Sequence, residues 1–152
     1  MALTGQLVKK VDISCRGHLV HEIYKHKPND VSILAPDKVQ GCDLISGEWG
    51  VPGSVILWRF MHDGEPHTMK EIIEEVDDEN HKIVFKVIEA DLLEHYKAFT
   101  ITFHIEEMGD KQFIVWTIDF EKVDASKPDP TIFMDLLGFC VNDMDTHFLK
   151  SA

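Results

Sequence analysis

Apolar and polar residues alternate one by one along two neighbouring segments, 99–106 and 114–121. This repeat of two places the apolar side chains on one face of a β-strand. The stretches 62–66 and 108–110 contain glycine and predict turns, and the short polar connection 77–80 requires antiparallel strands on either side. Together with shorter apolar runs, these patterns predict strands at 3–14, 39–45, 54–61, 68–76, 81–89, 99–106 and 114–121.

Helical spacing of apolar residues marks three other segments. An apolar helix face is formed by Leu19, Val20, Ile23 and Tyr24, and Pro28 ends that helix because proline lacks the backbone donor. A second short helix is predicted at 29–34. Asp129 is a favourable N-cap for a long helix at 130–150, whose first residue is a proline.

The long helix is predicted to be mostly enclosed, because apolar residues surround its first three turns. Its main apolar face consists of Phe133, Leu137, Cys140, Val141, Met144 and Phe148. Ile132, Met134, Leu136 and Phe139 extend that face most of the way round. An antiparallel sheet with its helices on one face is an α+β fold, and the length predicts one domain, residues 1–152.

Composition and charge exclude several classes of protein. Hydrophobic residues make up 44% of the chain, as in globular domains, and no apolar run is long enough to cross a membrane. The formal charge of −12 disfavours nucleic acid as a partner, because phosphates need clustered Lys and Arg. The start lacks a secretory signal and the three cysteines lie far apart, so reduced thiols and a cytoplasmic location are predicted.

The motifs predict neither a cofactor nor a metal ion. The loop with Gly47, Gly50 and Gly53 precedes a strand, whereas phosphate-binding loops open a helix, so we expect it to shape one end of an interior pocket. The nine histidines lack metal-binding spacing and are interpreted as scattered solvated residues. The acidic run 71–79 is interpreted as a solvated edge, and Cys140 as a core residue without a catalytic base.

The order and spacing of short motifs along the whole chain resemble the major latex protein family, a plant branch of the birch-pollen-allergen and pathogenesis-related class-10 superfamily. The matching stretches are 3–7, 39–44, 53–55, 62–64, 85–89, 96–97, 129–131 and 145–147. The resemblance implies a helix-grip fold, in which a seven-stranded curved antiparallel sheet surrounds the long C-terminal helix and two short helices follow the first strand. It also implies a large apolar cavity that binds steroids, lipids or other plant metabolites, and a role in stress or defence.

Two residues depart from the pattern of the family. Ala90 stands where members commonly have glycine after the glutamate that ends the fifth strand, so we expect a stiffer turn on the entrance side. Gly138 lies in an unusually apolar helix centre, where it would bend the helix or leave room for a ligand. Near the turn between the fifth and sixth strands, Glu89, Asp91 and Tyr96 are expected to fix the entrance.

The alternating apolar residues form either an ordinary close-packed core or the lining of that cavity, and only the resemblance favours the cavity. The predicted ligand-binding residues are Trp58, Phe60, Glu71, Ile73, Ile83, Phe85, Val87, Phe99, Ile101, Phe103, Trp116, Ile118, Phe133, Leu137, Cys140, Val141 and Met144. Glu71 would be an acid–base group if it shared the inward phase of Met69 and Ile73. The alternative, which we favour, places Glu71 at the rim, solvated or paired with Lys70 or Arg59.

The sequence therefore supports two hypotheses of function. The first is a cytoplasmic plant protein, a monomer or weak dimer, that binds a hydrophobic small molecule in its interior. The second is an enzyme that cyclises or isomerises a reactive plant metabolite in the same cavity. Neither hypothesis includes a nucleic-acid partner or a transmembrane segment.

Overall fold

The structure is a computed structural model that describes residues 3–151. Met1, Ala2 and Ala152, which belong to the predicted domain of residues 1–152, lie outside the described residues. The strands are β1 (Thr4–Ile13), β2 (Val39–Ser46), β3 (Val55–His62), β4 (Glu65–Asp77), β5 (Lys82–Ala90), β6 (Tyr96–Met108) and β7 (Lys111–Lys122). The helices are α1 (Gly17–His26), α2 (Val31–Leu34) and α3 (Thr131–Ser151), with 3-10 turns at Pro28–Asp30 and Asp91–Glu94.

The seven strands form one antiparallel sheet in the order β1-β7-β6-β5-β4-β3-β2. Register shifts interrupt the pairing of β2 with β3, of β4 with β5 and of β6 with β7. An extra residue in one strand bends it and increases its twist, so these irregularities favour a curved sheet. The predicted α+β fold, with a curved antiparallel sheet and a long C-terminal helix, is confirmed.

The turn between β3 and β4 is tighter than the predicted stretch 62–66. Asp63 and Gly64 both have positive φ values, 53° and 81°. A two-residue turn of this kind matches the twist of the paired strands, so pairing continues to His62 and Glu65. β4 therefore begins three residues earlier than the predicted start at Thr68.

The predicted alternation of faces is confirmed. Ile83, Phe85, Phe103, Trp116 and Ile118 are all buried on the inner face of the sheet. Trp58 also faces inward but is only partly buried. The apolar residues of the strands thus form one continuous core with those of the helices.

The start of α3 differs from the prediction in two ways. The Pro130 carbonyl accepts the first helical hydrogen bond, from the Met134 N–H at 3.1 Å, while the Asp129 carboxylate forms an ion pair with Lys122 at 2.8 Å instead of capping the helix. Ile132 and Phe139 are each 51% exposed, so the predicted enclosure of the early turns is wrong for that side. The sheet covers one side of α3 only.

Polar contacts attach α3 to the rest of the chain. The Asp145 carboxylate accepts hydrogen bonds from the backbone N–H groups of Ser14 and Cys15, and Asp143 pairs with Lys38 at 2.7 Å. A Cβ at Gly138 would lie 2.6 Å from the Lys9 Cε atom. The space beside Gly138 is therefore filled by the Lys9 side chain of β1. The prediction that this glycine leaves room for a ligand is wrong in this conformation.

Within residues 3–151, no helix is both long enough and apolar enough to cross a membrane.

Candidate functional site

An apolar cavity lies between the inner face of the sheet and the three helices. The predicted residues that line it are Trp58, Phe60, Glu71, Phe85, Ile101, Trp116, Phe133, Leu137 and Cys140. The lining also includes Tyr24, Val31, Val39, Met69 and Leu136, which the prediction missed. Met69 shares the strand phase of Glu71, and Tyr24 lies on the apolar face of α1, so both could have been inferred from periodicity.

The other predicted site residues are buried but do not line the cavity. They are Ile73, Ile83, Val87, Phe99, Phe103, Ile118, Val141 and Met144. The strand pattern identifies the inner face correctly but does not tell which part of that face borders empty space. These eight side chains contribute close packing in this conformation, and their contact with a ligand stays a prediction.

The cavity is small, with a volume of about 50 Å³. A pocket for a drug-sized molecule usually has ~300–1,000 Å³, so the implied large cavity is absent from this conformation. Large rings occupy the space. The ring of Tyr24 lies 5.2 Å from that of Trp116 and 5.4 Å from that of Phe103, measured between centroids.

Glu71 lies inside this apolar cavity and not at the rim. It is 3% exposed, and its Oε1 atom accepts a hydrogen bond from the Trp58 indole Nε1 at 2.7 Å. The two proposed rim partners pair elsewhere, Lys70 with Glu89 at 3.2 Å and Arg59 with Asp43 at 3.4 Å. The favoured interpretation of Glu71 as a solvated or ion-paired residue is therefore wrong.

Burial determines the charge of the Glu71 carboxyl. Removal from water disfavours the ionised form and raises the pKa of Glu71 to about 8, although the hydrogen bond from Trp58 acts in the opposite direction. The carboxyl is therefore mostly protonated at neutral pH. It can donate a hydrogen bond through its hydroxyl and accept one at its carbonyl oxygen.

Two further polar groups belong to the cavity wall. The Trp116 indole Nε1 is buried without a hydrogen-bond partner among the described residues. Burial raises the pKa of Tyr24 well above its ordinary value, with smaller contributions from Cys140 and Glu71, which line the same cavity. A buried donor without a partner is costly unless a ligand or water satisfies it.

The cysteines are not nucleophiles. Burial raises the pKa values of Cys15 and Cys140 to about 12 and that of Cys42 further still, so all three remain thiols at neutral pH. None of the three forms a disulfide.

The prediction of scattered solvated histidines is wrong for His21. His21 is buried on α1, with its ring 5.1 Å from that of His81 and 5.9 Å from that of Phe103. Burial, followed by the neighbouring His81, lowers the pKa of His21 to about 4. Among residues 3–151, no group of three metal-ligating side chains could hold an ion.

The glycine-rich loop packs against α1 and β4. Gly47, Gly50 and Gly53 all have positive φ, and the Gly53 N–H donates to the Ile73 carbonyl at 2.7 Å. A Cβ at Gly50 would lie 2.9 Å from the Lys25 Cγ atom. None of the three glycines lines the cavity, so the expectation that the loop shapes one end of the cavity is wrong in this conformation.

The region of the predicted entrance contains several fixed polar contacts. Asp91 pairs with the His67 Nδ1 atom at 3.0 Å, and the Tyr96 hydroxyl donates to the Pro128 carbonyl at 2.6 Å. Ala90 has an extended backbone, with φ −171° and ψ 160°. Alanine adopts this extended backbone as easily as glycine does, so the expected stiffening of the turn by Ala90 has no basis in the backbone conformation.

A curved antiparallel sheet that holds a long helix against an apolar interior defines the helix-grip class of proteins. Residues 2–151 match the model of the Pathogenesis-related protein Bet v 1 family. The chain belongs to this family.

The relatives place it on the major latex branch that the motifs indicated. The chain is 37% identical to MLP-like protein 31 of Arabidopsis thaliana, over 98% of this chain and 88% of that protein. Two other Arabidopsis relatives, MLP-like proteins 34 and 28, are 37% and 36% identical to this chain. The chain covers only 48% and 45% of the lengths of these two proteins. The crystal structure of major latex-like protein 151 from Panax ginseng superposes with a TM-score of 0.94, at 36% identity over 97% of this chain and 99% of that one.

A norcoclaurine synthase from Thalictrum flavum, solved in complex with dopamine and hydroxybenzaldehyde, has the same fold. Its TM-score is 0.77 at 18% identity, over 98% of this chain and 88% of that one. At this identity the likeness concerns the fold alone.

Proposed function

We propose that this protein binds a mostly apolar plant metabolite in its central cavity. The observation that carries the proposal is the combination of an apolar wall with two buried polar groups, the protonated Glu71 carboxyl and the unpartnered Trp116 indole. A wall of this kind gives affinity through burial of apolar ligand area, about 25 cal/mol per Å² before the costs of association. The two polar groups would orient a hydroxyl or carbonyl of the ligand.

Binding of a sterol-sized or phenolic ligand requires the cavity to widen. The volume of about 50 Å³ has room for only a few water molecules. One side of α3 is exposed at Ile132 and Phe139, so the helix can move outward without breaking a second packed interface there. We propose that the closed, nearly filled conformation is the ligand-free state.

A panel of sterols, fatty acids and phenylpropanoids titrated against intrinsic tryptophan fluorescence tests this function. We expect at least one compound to give a saturable change, because Trp58 and Trp116 both line the cavity. No response from any compound class would contradict the proposal.

The second candidate function is acid–base catalysis in the same cavity. It is favoured by the pKa of Glu71, about 8, since a group that titrates near the working pH is an efficient proton donor and acceptor. The Tyr24 hydroxyl, which lines the same cavity and stays protonated at neutral pH, would donate a hydrogen bond to a substrate oxygen. In a cyclisation or isomerisation, the Glu71 carboxyl would donate and accept the protons, while the bonds that form and break would be those of the metabolite itself.

The enzymatic candidate predicts that Glu71→Gln lowers product formation at least tenfold, since removal of a general acid–base group usually lowers the rate ~10²-fold or more. The first assay uses dopamine with hydroxybenzaldehyde and detects products by mass spectrometry. Glu74→Gln, an exposed carboxylate on the same strand, is the matched control and is expected to behave like the wild type. Equal rates in the wild type and Glu71→Gln would contradict this candidate, whereas absence of product with the wild type would exclude this pair of compounds as its substrates.

We also propose a biological role, a location in the cell and an oligomeric state for this protein. The description of the family as pathogenesis-related supports a role in stress or defence. We further propose a cytoplasmic plant protein that acts as a monomer or weak dimer.

A further inference from the structure

A second pocket lies on the other side of Phe60 from the central cavity. We name it the vestibule; its polar lining includes His62, His67, Thr68, Asp91, Glu94 and His95. It lies between the turn joining β3 to β4 and the 3-10 turn Asp91–Glu94, and its volume is about 400 Å³. It is thus much larger than the cavity that it adjoins.

Phe60 is the residue that the linings of the two pockets share. Its side chain is buried, and its ring stacks on His67 at 6.0 Å and meets Phe133 of α3 edge to face at 5.9 Å. His62 lies 6.4 Å from the same ring. These contacts are between rings, so rotation of Phe60 breaks no hydrogen bond or ion pair.

The charge of the vestibule restricts the ligand head that it can accept. Asp91 and Glu94 contribute carboxylates, and no Lys or Arg lines the pocket among the described residues. Asp91 already engages the Nδ1 atom of His67, and burial lowers the pKa of His62, which keeps its ring neutral at neutral pH. An anionic head would be repelled, whereas a neutral hydroxyl head finds carboxylate and imidazole partners.

We propose that Phe60 is a gate and that the vestibule is a second ligand subsite. When the ring rotates, the cavity and the vestibule join into one channel within the ~300–1,000 Å³ typical of small-molecule sites. The ligand is then an elongated amphipathic molecule, with its apolar body in the cavity and a neutral hydroxylated head in the vestibule. The head-group assignment rests on the proposed binding function, whereas the gate does not.

The gate is tested without any ligand, by acrylamide quenching of Trp116 fluorescence. The background protein carries Trp49→Phe and Trp58→Phe, which leaves Trp116 as the reporter in the cavity wall. We expect Phe60→Ala to raise the quenching constant at least threefold and Phe60→Leu to raise it less. Phe85→Ala and Phe85→Leu are the matched controls, because Phe85 lines the cavity but not the vestibule.

Thermal melting of each variant shows which ones are folded, and the leucine pair replaces the alanine pair if the latter unfolds. Folded Phe60 variants that are quenched no more than the background protein would overturn the gate. Equal gains in the Phe60 and Phe85 variants would overturn it as well. Because no ligand is involved, these outcomes are independent of whether the binding function is correct.

The head-group preference is tested with dodecanol and dodecanoate, two probes of equal chain length. We expect wild type to prefer the alcohol, and Asp91→Asn with Glu94→Gln to reduce that preference at least threefold. The control, Glu74→Gln with Glu79→Gln, removes two exposed carboxylates elsewhere on the surface. A preference unchanged by the vestibule variants would overturn the head-group assignment, while binding of neither probe would count against the binding function itself.

Discussion

Glu71→Gln is expected to make the protein about 3 kcal/mol more stable than the wild type at pH 7 and to leave stability unchanged at pH 4. The pKa of Glu71 is about 8 in the folded chain and near 4.5, the ordinary value, in the unfolded chain. Between these values the folded chain holds a proton that the unfolded chain releases. The protonated Glu71 carboxyl therefore makes its full contribution to the free energy of unfolding below pH 4.5. That contribution is lost as the pH rises towards 8.

Glutamine removes the titration while keeping an oxygen that can accept the hydrogen bond from Trp58. The measurement is urea unfolding of wild type, Glu71→Gln and the exposed control Glu74→Gln at several values between pH 4 and 9. The difference between wild type and Glu71→Gln is expected to grow with pH, whereas the control stays parallel to wild type. A constant difference across that range would show that Glu71 has no raised pKa.

Cys140→Leu is expected to weaken the binding of cavity ligands at least 100-fold while leaving the melting temperature similar or higher. Cys140 is buried on α3 and lines the cavity, so the larger side chain fills most of a volume of about 50 Å³. A hundredfold loss corresponds to about 2.8 kcal/mol of binding free energy. Filling of an empty apolar cavity commonly stabilises a protein.

The matched variant is Cys140→Ala, which changes the volume at the same position in the opposite direction. It is expected to retain binding, with a small loss of stability from the enlarged cavity. The measurement is the dissociation constant for whichever compound of the ligand panel binds wild type, together with the melting temperature of each protein. Equal dissociation constants in the two variants would place the ligand outside the cavity.

The strand faces and the long helix could be predicted because they depend on local periodicity. Phe99, Ile101 and Phe103 alternate with polar residues, and that pattern alone determines which side chains face the interior. The same local reasoning places Glu71 in phase with Met69 and Ile73, both buried. The sequence therefore held the information that Glu71 points inward.

The surroundings of Glu71 depend on contacts between distant strands. Lys70 was a possible partner by proximity, but the register of β4 with β5 pairs it with Glu89. Arg59 is likewise engaged by Asp43 of β2. Such pairings form only when the sheet is assembled, so the sequence alone favours the rim interpretation that the structure contradicts.

The volume of the interior cannot be predicted from the sequence either. The same apolar residues can line a wide pocket or fill it, depending on side-chain rotamers and on how closely α1, α2 and α3 approach the sheet. Val31 and Val39 were missed as lining residues for this reason, since nothing in their local pattern distinguishes them from ordinary core.

The most direct test of ligand binding in the cavity is the side-chain N–H resonance of Trp116 in a ¹H–¹⁵N NMR titration with a compound that binds in the fluorescence panel. Its Nε1 atom lacks a hydrogen-bond partner among residues 3–151, whereas Trp49 lies in the loop before β3 and outside the cavity lining. We predict a saturable shift of the Trp116 signal with little change at Trp49. Binding that leaves the Trp116 signal unmoved would contradict the proposal that the ligand occupies the cavity.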